Sequence, residues 1–419
     1  MGYRVIGGRR LCGEVVIGGC KNAVLPILAA TVLTGGKSVI HNCPDILDTH
    51  TSIEILRHLG CKVEYDGTSI IVDSAAAAAR ALPAGPVGKM RSSIIFAGAL
   101  LSRFGSFETA EPGGCRLGLR PIDLHLQAFR RMGVNFDGDS QTICGKAAEL
   151  TGAKINLAFP SVGATQNVIL AATLARGRTI ISNAAREPEI VDLQGFLQAA
   201  GAEIAGAGTS TIVIDGVEKL QNVEYKIMPD RIVAGTYLAA GAIAGGHIRL
   251  KNVKAADIMP IIDSLEDMGI NLHTEGASVV LRAKNRPNPL PILATGPHPA
   301  FPTDMQPQFT ALLAIAAGHS IVIENLFEAR DAHISELVRM GADIKSEGHR
   351  FYINGVERLN GAKVAAKDLR GGAALILAGL AAKGETEIHG AEYIKRGYTA
   401  IDKDLKALNA EISVLKTTP

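Results

Sequence analysis

Four groups of side chains in this sequence could do chemistry on an anion. The first centres on a thiol, Cys115, in the run Glu111-Pro112-Gly113-Gly114-Cys115-Arg116-Leu117-Gly118-Leu119-Arg120. Cations close to a thiol favour the thiolate, so Arg116 and Arg120, which follow it, would make Cys115 reactive. An inert cysteine in a long Gly-rich loop is the competing reading. Metal ligation is weaker, because only His125 follows at useful spacing. The second is Asp304 in Pro302-Thr303-Asp304-Met305-Gln306-Pro307-Gln308, a general base or a helix cap. The third is a series of polar starts to otherwise apolar helices: Lys21-Asn22, Arg91-Ser92-Ser93, Ser161-Val162-Gly163-Ala164, Asp230-Arg231, Asp304 and Asp368 to Arg370. Free N–H groups and the positive dipole end suit phosphate or carboxylate there. Ser161, Asp230 and Asp368 read equally well as ordinary N-caps. Lys21, Arg91 and Arg370 do not, because a cation at that end is unfavourable until an anion joins it. The fourth is Lys395-Arg396-Gly397-Tyr398, a basic pair that by itself reads as solvated.

The elements that must position these groups form a repeat. A helix tail, a Gly or Asn stop and a strand recur at Gly60, Gly133, Gly201, Gly269, Gly341 and Asn409, about 70 residues apart. Gly and Asn most readily take the left-handed conformation that ends a helix, so these are C-caps. Upstream, each unit opens with an Ala-rich apolar helix, as over 22–33, 166–174, 232–243 and 309–316. A turn, an alternating strand and a second, amphipathic helix follow, and strands close the unit. Six βαβαββ modules are expected, three in each of two similar domains. The first helix of each is apolar nearly all round, so it belongs inside a closed group of three rather than on an open solenoid. Residues 1–20 carry two strands and no helix, and are expected to complete the last unit.

Bulk composition agrees. The chain has 419 residues, too many for one core, and 47 % are hydrophobic with no Trp. Its 43 basic and 41 acidic residues leave a net charge of +2, so no strong field draws it to nucleic acid or membrane. The six cysteines show neither CxxC spacing nor a disulfide framework and are expected to be mostly small buried residues. With no signal-peptide pattern and no long apolar run, a cytoplasmic location without membrane insertion is expected.

Over nearly its whole length the sequence resembles the enolpyruvyl transferases that use UDP-N-acetylglucosamine as acceptor. Among the motifs that carry this are Lys21-Asn22, Met90-Arg91-Ser92-Ser93, Pro112-Gly113-Gly114-Cys115, Arg120-Pro121-Ile122-Asp123-Leu124-His125, Ser161-Val162-Gly163-Ala164-Thr165, Ala185-Arg186-Glu187-Pro188-Glu189, Pro229-Asp230-Arg231, His298 to Gln306, Asp368-Leu369-Arg370 and Arg396-Gly397-Tyr398. The resemblance implies two inside-out, barrel-like α/β domains of three repeats each, with the active site in the cleft between them. Residues 21–228 would form the domain carrying Cys115, and 1–20 plus 229–419 the one carrying Asp304.

It also implies roles. Phosphoenolpyruvate would be held by Lys21, Asn22, Arg120, Arg370 and Arg396. The UDP-sugar would be held by Asn22, Arg91, Arg120, Pro121, Ile122, Asp123, Leu124, His125, Ser161, Val162, Gly163, Asp304 and Leu326. Cys115 would be the general acid and Asp304 the base, with Lys21 and Arg396 also catalytic, and no metal or organic cofactor required. The product would enter peptidoglycan synthesis, and the phosphonate epoxide fosfomycin would alkylate Cys115. Phe159-Pro160 precede Ser161 where some members carry a basic residue, which leaves that nucleotide contact open. Transfer to shikimate 3-phosphate, or a silent paralogue that only binds UDP-sugar, are the alternatives. A nucleic-acid end-processing role fits poorly with near-zero net charge.

Overall fold

The computed structural model describes residues 2–114, 122–137 and 142–415. The described chain divides into two compact units, one from residues 2–18 and 229–415, the other from 19–114, 122–137 and 142–228. Each has its own apolar core.

All six expected helix stops are present. Gly60, Gly133, Gly201, Gly269, Gly341 and Asn409 have φ of 97°, 93°, 99°, 79°, 93° and 69°. Only a residue tolerant of positive φ can end a helix this way, which is why the sequence shows the repeat there.

In the unit built on 229–415, the helices Arg231–Ala244, Gln306–Leu313 and Leu369–Ala381 all pack on one another. In the other, Ile95–Phe104 packs against both Lys21–Ala30 and Val162–Thr173. Their side chains are buried on nearly every face, as their continuous apolar composition requires.

Among the described residues there are six sheets, five of four strands and one of three. In the four-stranded sheets of the first, third, fourth and fifth repeats, a central strand pairs in parallel with an edge strand and antiparallel with the strand that closes the repeat. The sixth is completed from the chain start, where Gly2–Ile6 lies antiparallel between Glu385–His389 and Glu411–Leu415. The other early strand departs from expectation. Leu11–Val16 joins the fourth repeat instead, parallel to Gly246–Lys251. Ile17 N–H continues that ladder to the Lys251 carbonyl.

A second repeat, not singled out from the sequence, closes the sheet ends. Asn42, Asn183 and Asn252, each with positive φ, follow a central strand. Their side-chain amides donate to the carbonyls of Ile227, Leu157 and Ile17, which lie just past the parallel edge strands. Asn325 makes the matching bond to Thr295. Each amide closes a sheet end that would otherwise leave a carbonyl unpaired.

Candidate active site

In the unit built on 229–415, three inner helices begin with charge. Asp230 caps the first, its Oδ1 accepting from the N–H groups of Ile232 (2.8 Å) and Val233 (3.0 Å). Asp368 caps the third, accepting from Arg370 N–H (3.0 Å) and Gly371 N–H (2.9 Å). Both carboxylates are therefore ordinary N-caps. Arg231 and Arg370 sit just inside these caps and are buried. Asp304, in the turn that starts the Gln306–Leu313 helix, faces the cations. Its Oδ2 accepts from Arg370 Nη2 (2.8 Å) and Nε (3.2 Å), and its Oδ1 from Arg330 Nη1 (3.1 Å). Burial alone would raise the pKa of this carboxyl. Arg370, Arg330 and Arg231 outweigh burial and hold it well below the usual carboxylate range. Asp304 is thus a firmly charged carboxylate, with 24 % of its side chain open to solvent.

Around this pair lie two groups the sequence did not single out, Arg330 and Glu324, and two that it did, Tyr398 and Arg396. Arg330 is buried, donates to Thr303 Oγ1 (2.7 Å) and stacks 4.4 Å from the Phe327 ring centroid. Glu324, also buried, accepts from Thr303 and Thr295 hydroxyls and from the N–H groups of Leu326 (2.9 Å) and Phe327 (3.2 Å). It thereby fixes the turn that bears Leu326. Beneath Arg370 lies Tyr398, its ring centroid 5.7 Å from the guanidinium carbon and its hydroxyl 2.9 Å from Thr236 Oγ1. Arg396 is half-buried in the turn leading to Tyr398.

The other unit repeats the principle. Lys21, first residue of its helix and nearly buried, donates to Asp48 Oδ2 at 2.7 Å. Asn22 follows it, half-buried. A cation at a helix N-terminus has thus found an internal carboxylate here, as Arg370 has in Asp304. Arg91 opens a short 3₁₀ turn, and its Nη1 donates to the Pro112 carbonyl at 2.8 Å. Ser161 caps the Val162–Thr173 helix by accepting from Ala164 N–H at 3.3 Å. His125 packs beside Gly163, where an added Cβ would lie 3.1 Å from the imidazole Cε1. Ile122 and Leu124 are half-buried beside the core and Asp123 is exposed.

The structure therefore brings together Asp304 with Arg370, and His125 with Gly163. Cys115, Arg116, Arg120 and Pro121 lie outside the described residues. Of the described cysteines, Cys20, Cys43 and Cys61 are buried, but Cys12 is exposed and Cys144 half-buried. Among the described residues, no cluster of His, Cys, Asp or Glu could hold a metal ion. No helix there is long and apolar enough to cross a membrane.

Two α/β units of three repeats, with arginines and carboxylates at the buried helix starts, define a class. The family of EPSP synthase (3-phosphoshikimate 1-carboxyvinyltransferase) matches residues 5–405. The solved enolpyruvyl transferase NikO from Streptomyces tendae superposes with a TM-score of 0.89 at 27 % identity, covering 98 % of both chains. EPSP synthase from Acinetobacter baumannii, at 17 % identity and TM-score 0.72 over 99 % of this chain and 100 % of that one, shares the fold. Similarity is higher to UDP-N-acetylglucosamine 1-carboxyvinyltransferase 2 of Caldanaerobacter subterraneus subsp. tengcongensis, 49 % identical over 98 % of both chains. The enzyme of the same name from Nitratidesulfovibrio vulgaris is 45 % identical over 97 % of both. The chain belongs to the enolpyruvyl transferase family and, within it, to the UDP-N-acetylglucosamine 1-carboxyvinyltransferases.

Proposed function

We propose that the protein transfers the enolpyruvyl group of phosphoenolpyruvate to the 3-hydroxyl of UDP-N-acetylglucosamine, releasing phosphate. The observation that carries this is Asp304, a charged carboxylate hydrogen-bonded to two buried guanidinium groups. Such a cluster offers a base beside cations that a carboxylate or phosphate of the small substrate can engage.

Asp304 takes the proton of the sugar hydroxyl as its oxygen attacks C2 of phosphoenolpyruvate. Cys115 gives a proton to C3, forming a tetrahedral ketal, and loss of a C3 proton then expels phosphate. A carboxylate held this low is a weak base. When a substrate anion engages Arg370, that guanidinium is shared, and Asp304 rises toward the ordinary carboxylate range. Lys21, Arg120 and Arg396 would share the phosphate and carboxylate with Arg370. Arg91, the 120–125 segment, Ser161 to Gly163 and Leu326 would hold the nucleotide sugar. The product feeds peptidoglycan synthesis in the cytoplasm.

Phosphate release from phosphoenolpyruvate tests the reading directly. Release should require UDP-N-acetylglucosamine and should not occur with shikimate 3-phosphate. The opposite acceptor preference would overturn it.

A further inference from the structure

Asn167 lies on the Val162–Thr173 helix and has no exposure to solvent. Its side chain touches three groups. Gly98 N–H lies 2.9 Å from Oδ1, the Ile94 carbonyl 2.9 Å from Nδ2, and His125 Nδ1 2.8 Å from Nδ2. Two of these partners are backbone groups with fixed roles. The atom facing an N–H must accept, and the atom facing a carbonyl must donate, so the amide can be placed only one way round. The second hydrogen of Nδ2 then points at His125, whose Nδ1 must accept it. The ring proton of a neutral His125 is therefore on Nε2.

The helices meet closely enough to fix this geometry. A Cβ at Gly98 would lie 2.4 Å from the Asn167 carbonyl oxygen, so only glycine lets the two backbones approach. Gly163 similarly leaves space for the imidazole, whose Nε2 would lie 3.4 Å from an added Cβ there. His125 is buried to 7 % exposure, and its Nε2 has no hydrogen-bond partner among the described residues. Burial, then the charge of Arg91, push the imidazole down to about 4, with Asp123 opposing, so the ring is neutral at physiological pH.

We infer that Asn167 is a positioning residue that locks His125 as an uncharged Nε2–H donor for an oxygen of the nucleotide sugar, beside the first turn of the Val162–Thr173 helix. The inference rests on the proposed UDP-N-acetylglucosamine reading. It adds that this contact is a directed neutral hydrogen bond and not a histidinium–phosphate pair. Such a donor keeps its strength as pH rises from 6 to 8, through the range where an ordinary imidazolium loses its proton (about 6.5).

Two-bond 1H–15N correlation spectra of the full-length protein report the tautomer, with the His125 signal assigned by its loss in His125→Gln. The Nε2–H pattern should persist from pH 8 to 5. An Nδ1–H pattern, or an imidazolium at pH 6, overturns the inference.

Binding is read by calorimetry. His125→Asn keeps an amide near Nδ1, to meet Asn167, but removes the outer donor. Its Kd for UDP-N-acetylglucosamine should rise about tenfold while KM for phosphoenolpyruvate stays within about twofold. His125→Gln returns a donor near Nε2 and should recover most of the affinity. Wild-type affinity in a folded His125→Asn overturns the inference. Should that variant not fold, the wild-type spectra and a pH-independent wild-type Kd between 6 and 8 decide it. If the wild type binds no UDP-N-acetylglucosamine at all, the functional reading falls instead, and the spectra still decide the tautomer.

Discussion

Arg370 grips a single oxygen of Asp304 with two of its nitrogens, Nη2 at 2.8 Å and Nε at 3.2 Å, and leaves the other oxygen to Arg330. Removing the charge of Asp304 has two separate consequences. Asp304→Asn cannot accept the hydroxyl proton, so turnover should fall about 100- to 10,000-fold while sugar-nucleotide binding survives. A loss of less than about tenfold removes Asp304 from the role of base. The same change leaves Arg370 and Arg330, both at most 5 % exposed, short of their counter-ion. The melting temperature should drop, and inorganic phosphate should restore more of it in the variant than in the wild type.

pH dependence follows from the same pair. Because the folded pKa of Asp304 is depressed, its stabilising contribution is complete above the ordinary carboxylate range and is lost only as pH falls below it. The kcat/KM profile, which reports the free enzyme, should therefore show no acid limb from Asp304 at or above about pH 4. An acid limb near pH 6 that vanishes in Asp304→Asn residual activity would contradict the ion-paired ground state.

His125 acts with the same sign in a higher pH window. Its folded pKa of about 4 lies below the ordinary value of 6.5, so the unfolded chain binds a proton that the folded protein refuses. Stability is thus full above about pH 6.5 and declines as pH falls toward 4, by roughly 3 kcal/mol from this group. Buried His333, pushed down by its own burial, acts in the same direction. Denaturant melts at pH 7 and pH 5 should show the decline, and His125→Asn should reduce it.

What could be read from the sequence is what backbone sterics write into residue type. Positive φ demands Gly or Asn, so the cap series revealed the six-fold repeat without any tertiary knowledge. Pairing partners far along the chain leave no such mark, which is why Leu11–Val16 was expected in the wrong repeat. Arg330 was missed because Glu328-Ala329-Arg330-Asp331 reads as a solvated charged turn, and its burial comes only from packing. Asp48 and Glu324 escaped for the same reason. Lys21 and Arg370 were legible because a cation at a helix N-terminus needs an anion. The structure adds that internal carboxylates already serve there.

The cap series gives its own stability test. Asn409 is the one non-glycine member, held at φ 69°. Asn409→Gly should be nearly neutral, whereas Asn409→Ala should cost about 1–2 kcal/mol, because a Cβ without a polar group gains nothing in the left-handed region. Equal melting temperatures for the two variants would show that this position does not need its conformation.

Cys115 offers the most direct chemical test of the proposed acid. In sequence it directly precedes Arg116, with Arg120 four residues beyond that, and guanidinium groups near a thiol favour the thiolate. A small epoxide carrying a phosphonate, such as fosfomycin, presents the anion that the proposed phosphate subsite would hold. Seated there, its strained ring would meet sulfur at high effective concentration. The thiolate should open the epoxide by attack on a ring carbon, the ring oxygen taking a proton to become a hydroxyl, and leave a thioether that blocks turnover. Prior addition of UDP-N-acetylglucosamine should speed the reaction. Cys115→Asp keeps a group able to donate a proton, since a carboxyl in a closed site has its pKa raised. Carboxylates open epoxides far more slowly than thiolates, so this variant should stay active and resist the inhibitor. Intact mass and residual activity of both forms, followed over time with the epoxide, give the result. A wild type that gains no adduct at Cys115, or a Cys115→Asp form inactivated equally fast, removes the thiol from the proposed acid's place.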